Sequence, residues 1–164
     1  EIYSLLTRWN PLNLRRPLPL PPSGYKVLVV GMGPAGFTLA HYLMNDGHQV
    51  TGIDGLKIEP LPARLSGVRA DGESGATRTP FEPIEDIDEL YEPLDSRTMA
   101  GFGGVAEYGI TVRWNKNFLK LVRLLLERRA RFALVGGVRF GSTLAVDDAF
   151  AFGFRNPGAS VGNL

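Results

Sequence analysis

One stretch restricts this chain more than any other. An apolar, β-branched run, Lys26 to Val30, leads straight into Gly31-Met32-Gly33-Pro34-Ala35-Gly36. The run has the composition of a buried parallel strand. The three glycines have separate duties. Gly31 allows a tight turn out of the strand, Gly33 removes the side chain that would block a diphosphate, and Gly36 lets a helix pack close to a sheet. Pro34 suits the first helical turn, where a missing N–H costs nothing. Ala35, Leu39, Tyr42 and Leu43 fall on one helical face, and Gly47 suits the stop. A second strand, Gln49 to Ile53, then ends at Asp54.

The order strand, glycine turn, helix, strand, acid predicts a fold class. It is α/β, a Rossmann-like parallel sheet with flanking helices. The turn offers backbone N–H groups and the positive end of a helix to a phosphate. The expected ligand is therefore a dinucleotide held by Gly31, Gly33, Pro34, Ala35 and Gly36. Asp54 stands where an acid accepts hydrogen bonds from both ribose hydroxyls, and its charge would repel a ribose phosphate. NADP is thus not expected here. FAD and NAD both present ADP to such a unit.

Met32-Gly33-Pro34-Ala35-Gly36 resembles the signature of two-dinucleotide flavoproteins. Gly101-Phe-Gly-Gly-Val-Ala-Glu-Tyr-Gly-Ile110 is similar to the G-G-x-x-x-x-G-I-P element of glutamate synthase small-subunit-like oxidoreductases. Lys116 to Arg131 resemble that family's next helix, and Phe132 to Gly141 its next strand and Val-Gly turn. The likeness covers roughly residues 24 to 150. It implies an incomplete two-dinucleotide flavoprotein fold, with FAD here and NAD(P)H on a domain outside this chain. It also implies electron transfer to a partner iron–sulfur subunit in a larger redox complex. Gly103 and Gly104 would approach the flavin, and Val138 would make a backbone contact to adenine. Thr111 departs from the family's proline, and Asp54 from its usual glutamate. The family's next strand is not expected, because Phe154 to Leu164 reads as an irregular tail.

The 164 residues suffice for one domain, and 44% hydrophobic with 21% charged residues describes an ordinary soluble protein. A net charge of +1 gives no global attraction to nucleic acid or membrane, and no apolar run reaches spanning length. With no cysteine, the chain carries neither a redox disulfide nor a cysteine-ligated cluster. That fits a reducing compartment, and the expected location is cytoplasmic. No second glycine fingerprint appears, so a nicotinamide domain is not expected in these residues.

The remaining organisation is read as follows. Residues 1–23 form an N-terminal segment and proline-rich linker, either one that leaves an N-terminal cluster domain, as the resemblance implies, or a strap on the domain surface. Residues 24–153 form the FAD-binding domain, and 154–164 the tail. Asp71 to Thr79 reads as a mobile loop, and Glu85 to Tyr91 as a short acidic helix without metal-ligand geometry. From Asn117 to Arg129 the spacing predicts a helix, with Phe118, Leu121, Val122 and Leu125 on its apolar face. Lys116, Lys120, Arg123 and Glu127 take the opposite face. Thr143 to Phe152 reads as a short helix. His41 and His48 are expected to be structural or exposed, while Trp114 and Tyr108 lie near the expected flavin element. No catalytic acid or base is assigned. Two other readings stay open: a non-catalytic Rossmann-like scaffold subunit, and an NAD-binding dehydrogenase domain.

Overall fold

The computed structural model describes residues 19–71, 75–91 and 117–159. Strand β1 (Lys26–Val30) enters helix α1 (Pro34–Asn45), which returns to β2 (Gln49–Asp54). A short helix α2 (Ala63–Ser66), strands β3 (Val68–Asp71) and β4 (Gly75–Arg78), and a 3-10 turn (Ile87–Leu90) follow. Then come α3 (Phe118–Glu127), β5 (Phe132–Gly136), α4 (Val146–Ala151) and β6 (Phe154–Ala159).

The main sheet has the order β5-β2-β1-β6, with every pair parallel. Numbered by its own strands, that is 3-2-1-4, the order of a doubly wound dinucleotide-binding sheet. The fold is therefore α/β and Rossmann-like. Side chains alternate across the sheet as the strand period requires. Val29, Val50 and Phe132 pack on one face with Phe37, Ala40 and Met44 of α1 and Leu119 and Leu126 of α3. Leu28 and Ile53 pack on the other face with Ala149 of α4. Chain direction across the sheet thus reverses between β1 and β6, which is where the glycine turn leaves β1.

Several expectations change. Phe154–Ala159 is not an irregular tail but a strand paired in parallel with β1, so the sheet-bearing unit extends past residue 153. Pro157 does not prevent the pairing. At a sheet edge its missing N–H costs no ladder bond, and among the described residues β6 is an edge strand. The loop read over Asp71 to Thr79 contains half of an antiparallel hairpin, with Val68 opposite Arg78 and Asp71 opposite Gly75. A two-stranded ribbon this short has little pattern of its own. Arg78 anchors it by donating to the carbonyls of Glu127, Arg129 (2.7 Å) and Phe132 (2.6 Å). These are carbonyls at the end of α3 and the start of β5, two of them beyond the reach of helical N–H groups.

The buried helix faces also differ from those expected. In α1 the buried residues are Gly36, Phe37, Ala40 and Met44, while Ala35 and Tyr42 are exposed. In α3, Val122 and Leu125 are exposed, whereas Lys120, Arg123 and Glu127 are buried. This helix lies between the sheet and a second cluster formed by Leu65 and Leu90 with Leu124. Its buried arc is consequently wide and takes in polar positions. Arg123 Nε donates to Glu127 Oε1 at 2.8 Å, and Lys120 Nζ donates to the Leu90 carbonyl at 2.9 Å.

The proline-rich entry is a strap where it is described. Leu20 N–H donates to the Asn45 carbonyl (2.7 Å) and Ser23 N–H to the Gly47 carbonyl (3.0 Å). Gly47 has φ +89°, and a Cβ there would lie 2.1 Å from the Pro21 carbonyl oxygen. Only glycine satisfies both conditions.

Candidate functional site

The carboxyl ends of β1 and β2 bring the fingerprint residues together. Gly31 takes φ +87°, which a side chain would strain, and its N–H donates to the Ile53 carbonyl at 2.9 Å. Gly33 is the N-cap of α1, with extended backbone, no side-chain cap and no acid in the first turn. Pro34 is the first helical residue. The first intrahelical bond described runs from Phe37 N–H to the Gly33 carbonyl at 3.0 Å. Among the described residues, the N–H groups of Gly33, Ala35 and Gly36 meet no protein acceptor. A helix start of this kind carries orphan donors and the positive end of the macrodipole.

Asp54 ends β2 and is only 6% exposed. Its Oδ2 accepts from Met32 N–H at 2.8 Å, and its Oδ1 from Leu56 N–H at 2.9 Å. The acid therefore faces the glycine turn, as the sequence implied. Less expected is how far its oxygens are already engaged. The Met32 side chain is fully buried in the α1 face of the sheet. It fills the notch left by Gly52, where a Cβ would lie 2.4 Å from Met32 Sδ. Sequence reading missed both Met32 and Gly52 as parts of the site. The available signal was a glycine inside a strand, which marks close approach of another group.

On the far side, β5 closes against the end of β2. Gly137 N–H donates to the Leu56 carbonyl (2.7 Å), and Val138 N–H donates to the Asp54 carbonyl (2.9 Å). The Val138 N–H is thus spent within the protein. Any contact of Val138 with adenine must use its carbonyl or side chain. Gly136 admits the backbone of Ile58, whose nitrogen would lie 2.4 Å from a Cβ there. Gly103 and Gly104, with Tyr108 and Trp114, lie outside the described residues.

The two histidines stand apart from this edge. His48 Nδ1 shares a 2.6 Å hydrogen bond with Ser23 Oγ in the strap. His41 Nε2 lies 3.1 Å from Asn45 Nδ2, while Asn45 Oδ1 accepts from Arg129 at 3.0 Å. With its oxygen so used, Asn45 donates to His41, which makes Nε2 the accepting nitrogen. Burial, together with the Arg129 charge, lowers the His41 pKa from its ordinary 6.5. The arginines after α3 are occupied by the protein itself. Arg128 bonds the carbonyls of Leu65 and Glu82 and stacks over Phe81, and Arg131 reaches the Leu20 carbonyl.

Among the described residues no group of three or more acidic or histidine ligands gathers as for a metal ion, and no helix is long and apolar enough to cross a membrane.

No family model matches the chain. An uncharacterized protein of Rickettsia prowazekii (strain Madrid E) is 44% identical over 162 residues, 99% of this chain. The chain spans only 21% of that protein's length.

Proposed function

We propose that this chain is the FAD-holding part of an NAD(P)H-dependent flavin oxidoreductase. The observation that carries the reading is the glycine turn at the point of sheet reversal. Its orphan N–H groups and Asp54 stand at the same carboxyl edge. Open α/β sheets bind ligands in that crevice. The residues present fit the ADP half of the cofactor. Gly33 and the N–H groups of Ala35 and Gly36 would meet the diphosphate, and Asp54 would stand at the adenosine sugar. FAD, when bound, supplies the hydride-accepting ring. The chain's own task is to hold and orient it. A nicotinamide nucleotide on a separate domain would reduce the ring, and a partner iron–sulfur subunit would take the electrons. A cytoplasmic location accords with the cysteine-free sequence.

The same edge would hold the ADP half of NAD, because the observed groups address only that half. The deciding experiment purifies the chain and identifies the cofactor released on denaturation. FAD, with flavin absorbance bands in the native protein, supports the proposal. A colourless protein that binds NAD and not FAD overturns it in favour of a dehydrogenase domain. Binding of neither favours a scaffold.

A further inference from the structure

The fingerprint gives Asp54 one duty, at the sugar. Its surroundings point elsewhere. Both carboxylate oxygens accept backbone N–H groups, and the residue is almost wholly buried. One of those donors, Met32, is the residue between the first two glycines of the turn. Hydrogen bonds to an ionised acceptor are roughly twice as strong as neutral ones. Two further contacts hold the same turn. Gly31 N–H is fixed to the Ile53 carbonyl, and the Met32 side chain is seated over Gly52. The backbone of Asp54 is itself tied to the turn after β5 through Val138 N–H. Three successive residues of β2, Gly52, Ile53 and Asp54, thus set the position of Gly31 and Met32. The next N–H in the chain is that of Gly33.

We infer that Asp54, with Gly52, is a positioning residue for the phosphate end of the ligand. It acts through Met32 by holding the glycine turn in its binding shape before any ligand arrives. This rests on the nucleotide reading above and deepens it. A turn fixed in advance loses less conformational freedom on binding, so its donors meet the diphosphate at lower cost. Asparagine cannot replace the acid. Its oxygen can serve one N–H, but its amide nitrogen would then face the other N–H, donor against donor.

The test compares two probes by titration calorimetry, ADP and 2′,3′-dideoxy-ADP, which lacks both sugar hydroxyls. Each is titrated into the full chain and into the folded variants Asp54→Asn and Gly52→Ala. Asp54→Asn is expected to weaken dideoxy-ADP binding at least fivefold. Gly52→Ala keeps the carboxylate but displaces Met32, and it is expected to weaken both probes by a similar factor. Amide exchange at Met32 should quicken in both variants while that at Val29, in the strand core, does not. A smaller loss of dideoxy-ADP affinity in Asp54→Asn, with ADP affinity reduced, confines Asp54 to the sugar and overturns the inference. If Asp54→Asn does not fold, wild-type affinities in Gly52→Ala overturn it. If the wild-type chain binds neither probe, the nucleotide reading falls and this inference with it.

Discussion

Helices α1 and α3 lie on the same face of the sheet, yet they are held there by different means. Helix α1 buries Gly36, Phe37, Ala40 and Met44, small or apolar groups that let it sit close to β1 and β2. Among the described residues its open donors lie at its amino end, while at its carboxyl end Asn45 is bonded to His41, Arg129 and Leu20. Helix α3 is the reverse. Its buried arc includes Asn117, Lys120, Arg123 and Glu127, and Arg123 is 2% exposed. Its Leu125 is 69% exposed. Its carboxyl end is closed by Arg78, a side chain from another element. Helix α1 leaves the donors of its amino end open, whereas α3 uses its polar groups to fasten the protein to itself. That division locates the candidate site at α1, although α3 carries far more charge.

The comparison breaks most sharply at the buried ion pair. Arg123→Ala strands Glu127 in the interior and should destabilise the fold by about 3–5 kcal/mol in urea unfolding. Among the described residues Arg123 Nη1 is buried without a hydrogen-bond partner, so the native pair already carries an unmet donor. Replacing both partners, Arg123→Met with Glu127→Leu, should therefore restore most or all of the loss. A double variant as weak as the single one would show that the pair is not the unit.

Arg78→Met tests the other fastening. It leaves the carbonyls at the end of α3 without this donor and should cost about 1–3 kcal/mol. Hydrogen exchange should rise first in β3, β4 and the last turn of α3. Uniform exchange throughout the sheet would contradict a local clamp.

A smaller effect is expected with pH. The folded pKa of His41 lies below its ordinary value, first through burial and then through Arg129. The unfolded chain therefore binds the proton more readily than the folded one. The stability due to neutral His41 is complete above about pH 6.5 and falls as pH drops toward the folded pKa. His41→Gln should flatten this part of a stability–pH curve, and an unchanged slope would remove His41 as its source. The smallest effect is expected at the exposed leucine. Leu125→Ser should change stability by no more than about 0.5 kcal/mol, despite lying in the most apolar run of the helix.

The unit β1–α1–β2 was legible because its signals are local. β-Branched runs, a turn needing positive φ at Gly31, a proline at the first helical position and a terminal acid each act within a few residues. The expected limits of β1 agree with the structure, and Asp54 faces the turn as read. Helix faces were less legible. Spacing shows that α1 and α3 have an apolar side, but the buried side depends on what lies against it. For α3 that is a sheet on one flank and the Leu65–Leu90 cluster on another. The hairpin and β6 were misread for the same reason. Arg78 and Pro157 look unsuited to ordered structure until an end of α3 needs donors and a sheet edge needs none.

By itself, the sequence determined the glycine turn, its flanking strands and the acid beside it, because backbone stereochemistry and short-range donors and acceptors suffice to specify them. The tertiary structure alone decided that Met32 fills the space over Gly52 and that Asp54 is bound to the turn. It alone decided that Lys120, Arg123 and Glu127 share the buried side of α3 with Leu119, Leu124 and Leu126 while Leu125 stays exposed. Those outcomes depend on which surfaces meet, and residues distant in sequence meet only when the chain has folded.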